Sequence, residues 1–263
     1  MIEIVKSPSS DIFYDLVGKT TSQLYLCAPY IKKEVVKKIL DIKNKTTTLN
    51  VFTSANVANF VNGSSDVEAI KMLIDSGIEV INYQRLHAKI YLFDDKKALV
   101  TSANLTNYAL YKNYEYGVLI HEDEKTALDQ IYNDFVEMLS SELKGQFDKE
   151  NIKTIIEVVK DFKGKGLTKI DESEDELLPV KKASKLTKYL SPWQKDVFNC
   201  IVSIPNPVFL LSDVNKFVPA LKAKHPKNNN VEAKIRQILQ QLRDIGFIKF
   251  IERGKYKKLW CIL

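Results

Sequence analysis

The feature that most constrains this fold is a change of rhythm within the first 145 residues. Up to residue 83, strand-length apolar runs alternate with helically spaced ones; beyond it, strands follow one another directly. Residues 11–17 have helical spacing behind Ser10, a side chain suited to capping a first turn. Gln23-Leu24-Tyr25-Leu26-Cys27-Ala28 is an apolar run of strand length that Pro29 ends. Residues 34–40 have helical period, 48–53 alternate as a strand, 66–75 form an amphipathic helix stopped by Gly77, and 78–83 return to strand. Such alternation predicts an α/β layer architecture, since each helix must cover the sheet its flanking strands build. Residues 88–93 and 98–101 then bracket Asp94-Asp95-Lys96-Lys97 as a hairpin, and 114–120 add a strand. Residues 122–143 form a long helix with Leu128, Ile131, Phe135, Met138 and Leu139 on one face, closing a first domain over 1–145.

Beyond this point the periodicity weakens and the charge changes sign. Residues 152–162 have helical spacing, but Gly164-Lys165-Gly166 and the acidic run 171–176 have linker composition, and 181–188 continue as a basic, polar stretch. Residues 146–189 are therefore predicted to be a helical, charged linker. Residues 180–263 carry 17 Lys and Arg against 5 Asp and Glu, whereas 1–179 carry 22 against 28, an asymmetry that the net charge of +6 conceals. A basic segment joined to an acidic one points to a polyanionic partner. Within it, Pro192 opens a helix to residue 204 behind Ser191, and 209–211 form a short strand. Ser212 caps a helix over 213–222, and Asn230 caps another over 231–245 that Gly246 ends. Residues 247–251 and 256–262 pair around Glu252-Arg253-Gly254-Lys255. That order of elements predicts a small winged helix-turn-helix domain over 190–263.

Several classes are disfavoured. No apolar run approaches the roughly 20 residues of a membrane-spanning helix. Met1-Ile2-Glu3-Ile4-Val5-Lys6 lacks the apolar length of a secretory signal. Cys27, Cys200 and Cys261 lie far apart among apolar neighbours, as buried free thiols of a reducing cytoplasm would, with neither disulfide nor metal-ligand spacing.

Chemistry concentrates in His87-Ala88-Lys89, Asp94 and Ser102-Ala103-Asn104. On a strand, residues two apart share a face, so His87 projects with Lys89 and Ser102 with Asn104. If the two strands pair, an imidazole, an ammonium, a hydroxyl and an amide converge on one patch. These groups suit attack on a phosphodiester and the holding of its oxygens. The string His-x-Lys, four residues, Asp, a short gap and Ser-x-Asn resembles the HKD signature of the phospholipase D superfamily, with Thr101 where that family usually has glycine. Asn113-Tyr114-Glu115-Tyr116-Gly117-Val118-Leu119-Ile120 is similar to the strand that, in the nuclease branch, supplies an acid to the nucleophilic histidine.

This resemblance spans about residues 1–145. It implies a mixed β-sheet flanked by helices and a phosphodiesterase in which His87 bonds covalently to phosphorus, with no divalent metal or other cofactor. By the same likeness Lys89 and Asn104 bind phosphoryl oxygens, Ser102 supports them, Glu115 accepts the ring N–H of His87, and Asp94 has a structural or supporting part. A second histidine must protonate the leaving oxygen, yet the chain has one motif and no internal repeat. His121, before Glu122-Asp123-Glu124, lacks a lysine two residues on, and His225 sits in the loop Lys224-His225-Pro226. A homodimer through the nuclease domain, with two His87 rings facing each other, is therefore predicted.

In the basic domain, Val231, Ile235, Ile238, Leu239, Leu242 and Ile245 share one helix face, with Arg236, Gln237 and Gln240 opposite. Arg and Gln suit bidentate reading of guanine and adenine edges in double-stranded DNA. Asn230 and Lys234 near the helix start, and Arg253, Lys255, Lys257 and Lys258 on the hairpin, are further DNA-binding candidates. The run from Asn228 to Gln237, through Leu242-Arg243-Asp244-Ile245-Gly246-Phe247-Ile248 to Gly254-Lys255-Tyr256, resembles the C-terminal winged helix of certain restriction endonucleases. One of these is directed at methylated adenine, but no residue here is tied to a methyl pocket. Together the resemblances imply a metal-independent, site-specific deoxyribonuclease of a restriction system. A lipid phosphodiesterase would use the same motif, but no amphipathic membrane-binding stretch accompanies it. A regulator would keep the winged helix without needing His87, Lys89, Asn104 and Glu115, and a non-specific nuclease would yield a smear instead of discrete fragments.

Overall fold

The change of rhythm in the sequence becomes a change of strand direction in the sheet. The computed structural model describes residues 1–83, 86–141, 144–164, 177–180 and 182–262. Its first half runs β1 (Ile2–Lys6), α1 (Ser10–Lys19), β2 (Gln23–Cys27), α2 (Lys33–Ile42), β3 (Thr48–Thr53), α3 (Val57–Asn62), α4 (Val67–Asp75) and β4 (Glu79–Tyr83). It continues through β5 (Ile90–Phe93), β6 (Lys97–Thr101), α5 (Asn107–Tyr111), β7 (Tyr116–Ile120), α6 (Lys125–Ser140) and β8 (Lys144–Gln146). One mixed sheet holds all eight strands in the order β1-β7-β6-β5-β2-β3-β4-β8. The alternating stretch supplies the parallel trio β2, β3 and β4, because helical connections carry the chain back to the starting edge. The direct stretch supplies β5, β6 and β7, each antiparallel to the next. The α/β architecture with a mixed sheet flanked by helices is as expected.

The long helix α6 covers one face of this sheet. Its Leu128 and Phe135 are buried against Tyr25, Phe52, Ile81 and Leu92. The Phe135 ring stacks on Tyr25 at 5.1 Å and lies 5.1 Å from Phe52. Burying one such ring contributes about 1.5–3 kcal/mol, so α6 fixes the sheet on which the site is built.

Asp94 and Asp95 form the hairpin turn, with φ of 51° and 54°. Positive φ at both central residues matches the twist of the flanking strands, and aspartate tolerates that region better than most residues. The Asp94 carboxylate also accepts the backbone N–H groups of Thr21, Ser22 and Gln23 at 2.7–2.9 Å, and the Thr21 hydroxyl. It therefore ties the entry of β2 to the hairpin at the end of β5 away from His87. Burial pushes its pKa up, but the N–H groups of Thr21, Gln23 and Ser22 outweigh this and hold it below the usual carboxylate value. A depressed carboxyl pKa adds stability above the unfolded-state value and loses it as pH falls through the folded one. Asp94→Asn keeps the turn geometry but loses one acceptor oxygen. It is expected to destabilise the protein by about 1–2 kcal/mol at neutral pH, with a smaller difference in acid, in denaturant titrations. Equal stability of the two proteins at neutral pH would remove this structural role.

The chain forms two units, Met1–Ala55 with Gly63–Lys149, and Asn56–Asn62 with Glu150–Leu263. The expected linker over 146–189 thus needs correction. Helix α7 (Lys149–Gly164) buries Ile152, Ile155, Val158, Val159 and Phe162, which makes most of it part of the second unit's core. Strand β9 (Leu178–Val180) and a 3-10 segment (Ala183–Tyr189) with buried Ala183 and Leu186 follow. The acidic run 171–176 lies outside the described residues.

Then come α8 (Pro192–Ser203), β10 (Val208–Leu210), α9 (Leu211–Asn215), α10 (Val218–Lys224), α11 (Val231–Ile245), β11 (Ile248–Glu252), β12 (Lys255–Lys258) and β13 (Trp260–Ile262). The helix expected over 213–222 is two helices. Pro219 has no N–H to give the Asn215 carbonyl and its ring crowds that group, so α9 ends there. The second hairpin strand also splits, β12 pairing with β11 while β13 runs parallel to β9. Helix α11 ends as expected at Gly246, whose φ is 91°. A Cβ there would also approach the Val57 nitrogen to 3.2 Å, so glycine is required by backbone conformation and by space. No helix among the described residues is long and apolar enough to cross a membrane.

Candidate functional site

Antiparallel pairing brings three separate sequence segments to one end of the sheet. Ile90 begins β5 opposite Val100 of β6, and Thr101 ends β6 opposite Gly117 of β7. His87 and Lys89 precede β5, Ser102 and Asn104 follow β6, and Glu115 precedes β7. The ladder extends a step past the named strands, because the Thr101 N–H donates to the Lys89 carbonyl at 3.1 Å and the Ser102 N–H to the Tyr116 carbonyl at 3.0 Å. The C-terminal end of parallel strand β2 lies at the same edge, with Cys27 opposite Ile90.

Residues 86–89 are not strand, so the expected strand over 88–93 is shorter and strand alternation does not place His87 beside Lys89. A side-chain contact does so instead. The Lys89 ammonium donates to the His87 carbonyl at 2.7 Å and lies 3.4 Å from His87 Nδ1. The imidazole itself is exposed. Burial lowers the Lys89 pKa, with the Glu115 carboxylate acting in the opposite sense.

Glu115 is placed differently from the expectation. Its carboxylate accepts from the Ser102 hydroxyl and from the Asn113 amide at 3.2 Å, and among the described residues it makes no bond to His87. The reason is register. Ser102 is the first residue past Thr101, directly across from the segment that enters β7, and its Oγ also accepts the Tyr116 N–H at 3.1 Å. Asn104 Oδ1 accepts the Tyr30 N–H at 3.4 Å, leaving its amide nitrogen to donate. Asp94 is at the other end of β5, in the structural role described above.

Three participants were not anticipated. Tyr30 fixes Asn104, Asn113 fixes Glu115, and Gly117 lets β6 and β7 approach, since a Cβ there would lie 2.7 Å from the Val100 carbonyl oxygen. Only Gly117 had a sequence signal, a glycine inside a strand. His121 is at the opposite end of β7 from Glu115, 3.2 Å from Glu3, while His225 of the second unit is held by Asp196 at 2.8 Å and stacks on Trp193. Among the described residues, no group of three or more His, Cys, Asp or Glu is arranged to hold a metal. Cys27 is buried and Cys200 half-buried, and the Cys261 side chain is outside the described set.

In the second unit, α11 buries its apolar stripe and exposes Arg236, Gln237 and Gln240, as expected. Asn230 Oδ1 caps α11 by accepting the Ala233 N–H at 3.0 Å, and Lys234 donates to Gln237 at 2.8 Å. On the hairpin, Arg253 is exposed, Lys257 is half-buried and Lys255 pairs with Glu252 at 2.9 Å. Lys258 requires correction. It is 9% exposed, with its ammonium turned onto the Ile204 carbonyl, so it faces inward with Tyr256 and is not on the outer surface. Burial lowers its pKa.

Comparison with known proteins finds two matches along the chain. Residues 13–139 match the family described as cardiolipin synthase, PLD-like domain, and residues 191–258 match the Dam-replacing HTH domain. Among solved structures the chain is similar to Nuc from Salmonella typhimurium, a phospholipase D family member, with a TM-score of 0.49 and 14% identity over 57% of this chain and 99% of that one. It is also similar to NucT from Helicobacter pylori, with a TM-score of 0.44 and 14% identity over 54% of this chain and 96% of that one. Phosphatidylserine synthase from Haemophilus influenzae gives a TM-score of 0.47 and 16% identity over 64% and 46%. The chain therefore joins a PLD-like domain to a Dam-replacing HTH domain.

Proposed function

We propose that this chain is a metal-independent restriction endonuclease that hydrolyses DNA phosphodiesters through a phosphohistidine. What supports this reading is that His87 and Lys89 precede β5, and Ser102 and Asn104 follow its antiparallel partner β6, at one end of the sheet, in a chain whose other domain is a helix-turn-helix module. The His87 imidazole attacks phosphorus, and the bond from phosphorus to the leaving strand oxygen breaks as His87 of the partner subunit gives that oxygen a proton. Water then loses a proton to the same imidazole, attacks phosphorus and releases His87. Lys89 and the Asn104 amide donate to the phosphoryl oxygens, where preorganised donors stabilise the developing charge. Ser102 supports them, and Glu115 is a positioning residue that orients the Ser102 hydroxyl and supplies a negative charge near Lys89.

The single motif calls for a homodimer, so that each reaction has its second histidine. In the second unit Arg236, Gln237 and Gln240 read base edges, while Arg253, Lys255 and Lys257 hold phosphates. Plasmid cleavage is expected to give discrete fragments and to persist undiminished in excess EDTA. Strict dependence on magnesium would overturn the mechanism, and a smear of products would overturn site recognition.

A further inference from the structure

Every exposed aromatic ring among the described large apolar side chains lies in one stretch of nine residues beside the proposed site. These are Tyr108, Tyr111, Tyr114 and Tyr116, with Tyr108 and Tyr114 exposed to 66% and 83%. Rings of this size normally bury most of their area, so their clustering outside the core is not explained by folding. Lysines accompany them. Lys112 Nζ lies 4.9 Å from the Tyr108 ring centre, and Lys6 Nζ 5.7 Å from that of Tyr116. Lys38 Nζ sits 3.9 Å from the centre of the Tyr14 ring and donates to the Tyr111 hydroxyl at 3.0 Å. A pocket of about 510 Å³ opens among Tyr14, Tyr108, Tyr111, Lys38 and Lys112, with Glu34 its one carboxylate.

We propose that Tyr108, Tyr111 and Tyr114, with Lys38 and Lys112, bind a single-stranded DNA segment flanking the scissile phosphate. Exposed rings interleaved with ammonium groups match unpaired bases and backbone phosphates, because every base offers a face to stack while a duplex keeps its bases stacked on one another. The same segment is wired to the site. Glu115 follows Tyr114 and accepts from Ser102, and the Tyr116 N–H donates to the Ser102 hydroxyl. A strand held at His87 would thus have α5 beside its path. The location relative to the scissile phosphate rests on the nuclease reading, whereas strand binding itself does not.

The test uses the full chain carrying His87→Ala, so that bound DNA is not cut, and a fluorescent oligothymidylate. Adding Tyr108→Ala with Tyr114→Ala is expected to weaken binding about 10–100-fold, while Phe at both positions keeps affinity within a few-fold of the parent. An oligonucleotide bearing 5-iododeoxyuridine is expected to photocrosslink to Tyr108 or Tyr114, a readout that needs no substitution at the rings. Equal affinity of the Ala and parent proteins, or crosslinks confined to residues 191–258, overturns the proposal. So does conversion of the Ala protein from dimer to monomer in sedimentation, which would assign the rings to a second copy. Plasmid cleavage by the unsubstituted protein is scored separately. Tyrosine-dependent strand binding without cleavage sinks only the nuclease reading, and cleavage without such binding sinks only this surface.

Discussion

His87→Ala is expected to remove phosphodiester hydrolysis by on the order of 10⁴-fold or more, with the fold intact. Loss of a nucleophile abolishes the covalent route, leaving what binding and oriented donors provide. The His87 ring is exposed, with the Lys89 ammonium 3.4 Å from its Nδ1, so its removal opens no core cavity and the melting temperature is expected to stay unchanged. Two further measurements separate this mechanism from direct attack by water. An acid-labile, base-stable adduct, with one DNA end joined through phosphorus to His87, should be trapped on the unsubstituted protein when the reaction is quenched in alkali. If two subunits share each reaction, mixing equal amounts of His87→Ala and unsubstituted chains should lower activity per active chain to about half, because mixed dimers lack one histidine. Activity that stays proportional to the active chains would mean that each subunit works alone. Cleavage by His87→Ala at the parent rate would end the reading.

The sequence shows most clearly what is local. Helix α11 has its cap Asn230, its apolar stripe and its glycine stop within 17 residues of chain, and all three are in place. The parallel and antiparallel halves of the sheet likewise follow from connection length. Long-range partners were less legible. Strand β1 is a five-residue edge strand whose Ile2 and Ile4 are exposed, and β9 is a three-residue strand whose partner β13 is some 80 residues away. Neither has a periodicity long enough to read.

At the site the residue types were visible and their contacts were not. Motif spacing finds His87, Lys89, Ser102 and Asn104, but nothing in it reveals that Ser102 would stand across from Glu115 and take its carboxylate. Lys258 is a different failure, because alternation along β12 already puts it on the face of buried Tyr256. Its direction follows the two-residue period of the strand and not its charge.

The glycine that the motif lacks at position 101 is present across the ladder, and this sets up the second large effect. Thr101 faces Gly117, and its hydroxyl accepts the Ala103 N–H at 3.1 Å and donates to the Tyr116 carbonyl at 3.3 Å. It therefore ties the turn carrying Ser102 and Asn104 to the segment carrying Glu115. A Cβ at Gly117 would sit 2.7 Å from the Val100 carbonyl oxygen and 2.8 Å from Thr101 Cβ, and neither is the end of a flexible side chain. Gly117→Ala must push β6 and β7 apart, at a cost of about 1–3 kcal/mol in stability. Because displacing reacting groups by about 1 Å costs some 10²-fold, cleavage is expected to fall by about that factor even below the melting temperature. Thr101→Gly removes the side-chain half of the clash but not the Val100 oxygen, so in the Gly117→Ala background it should restore part of the stability, with a coupling of about 1 kcal/mol. An alanine at 117 that changes neither melting nor cleavage would show that the close approach of the two strands is not what sets the turn carrying Ser102 and Asn104.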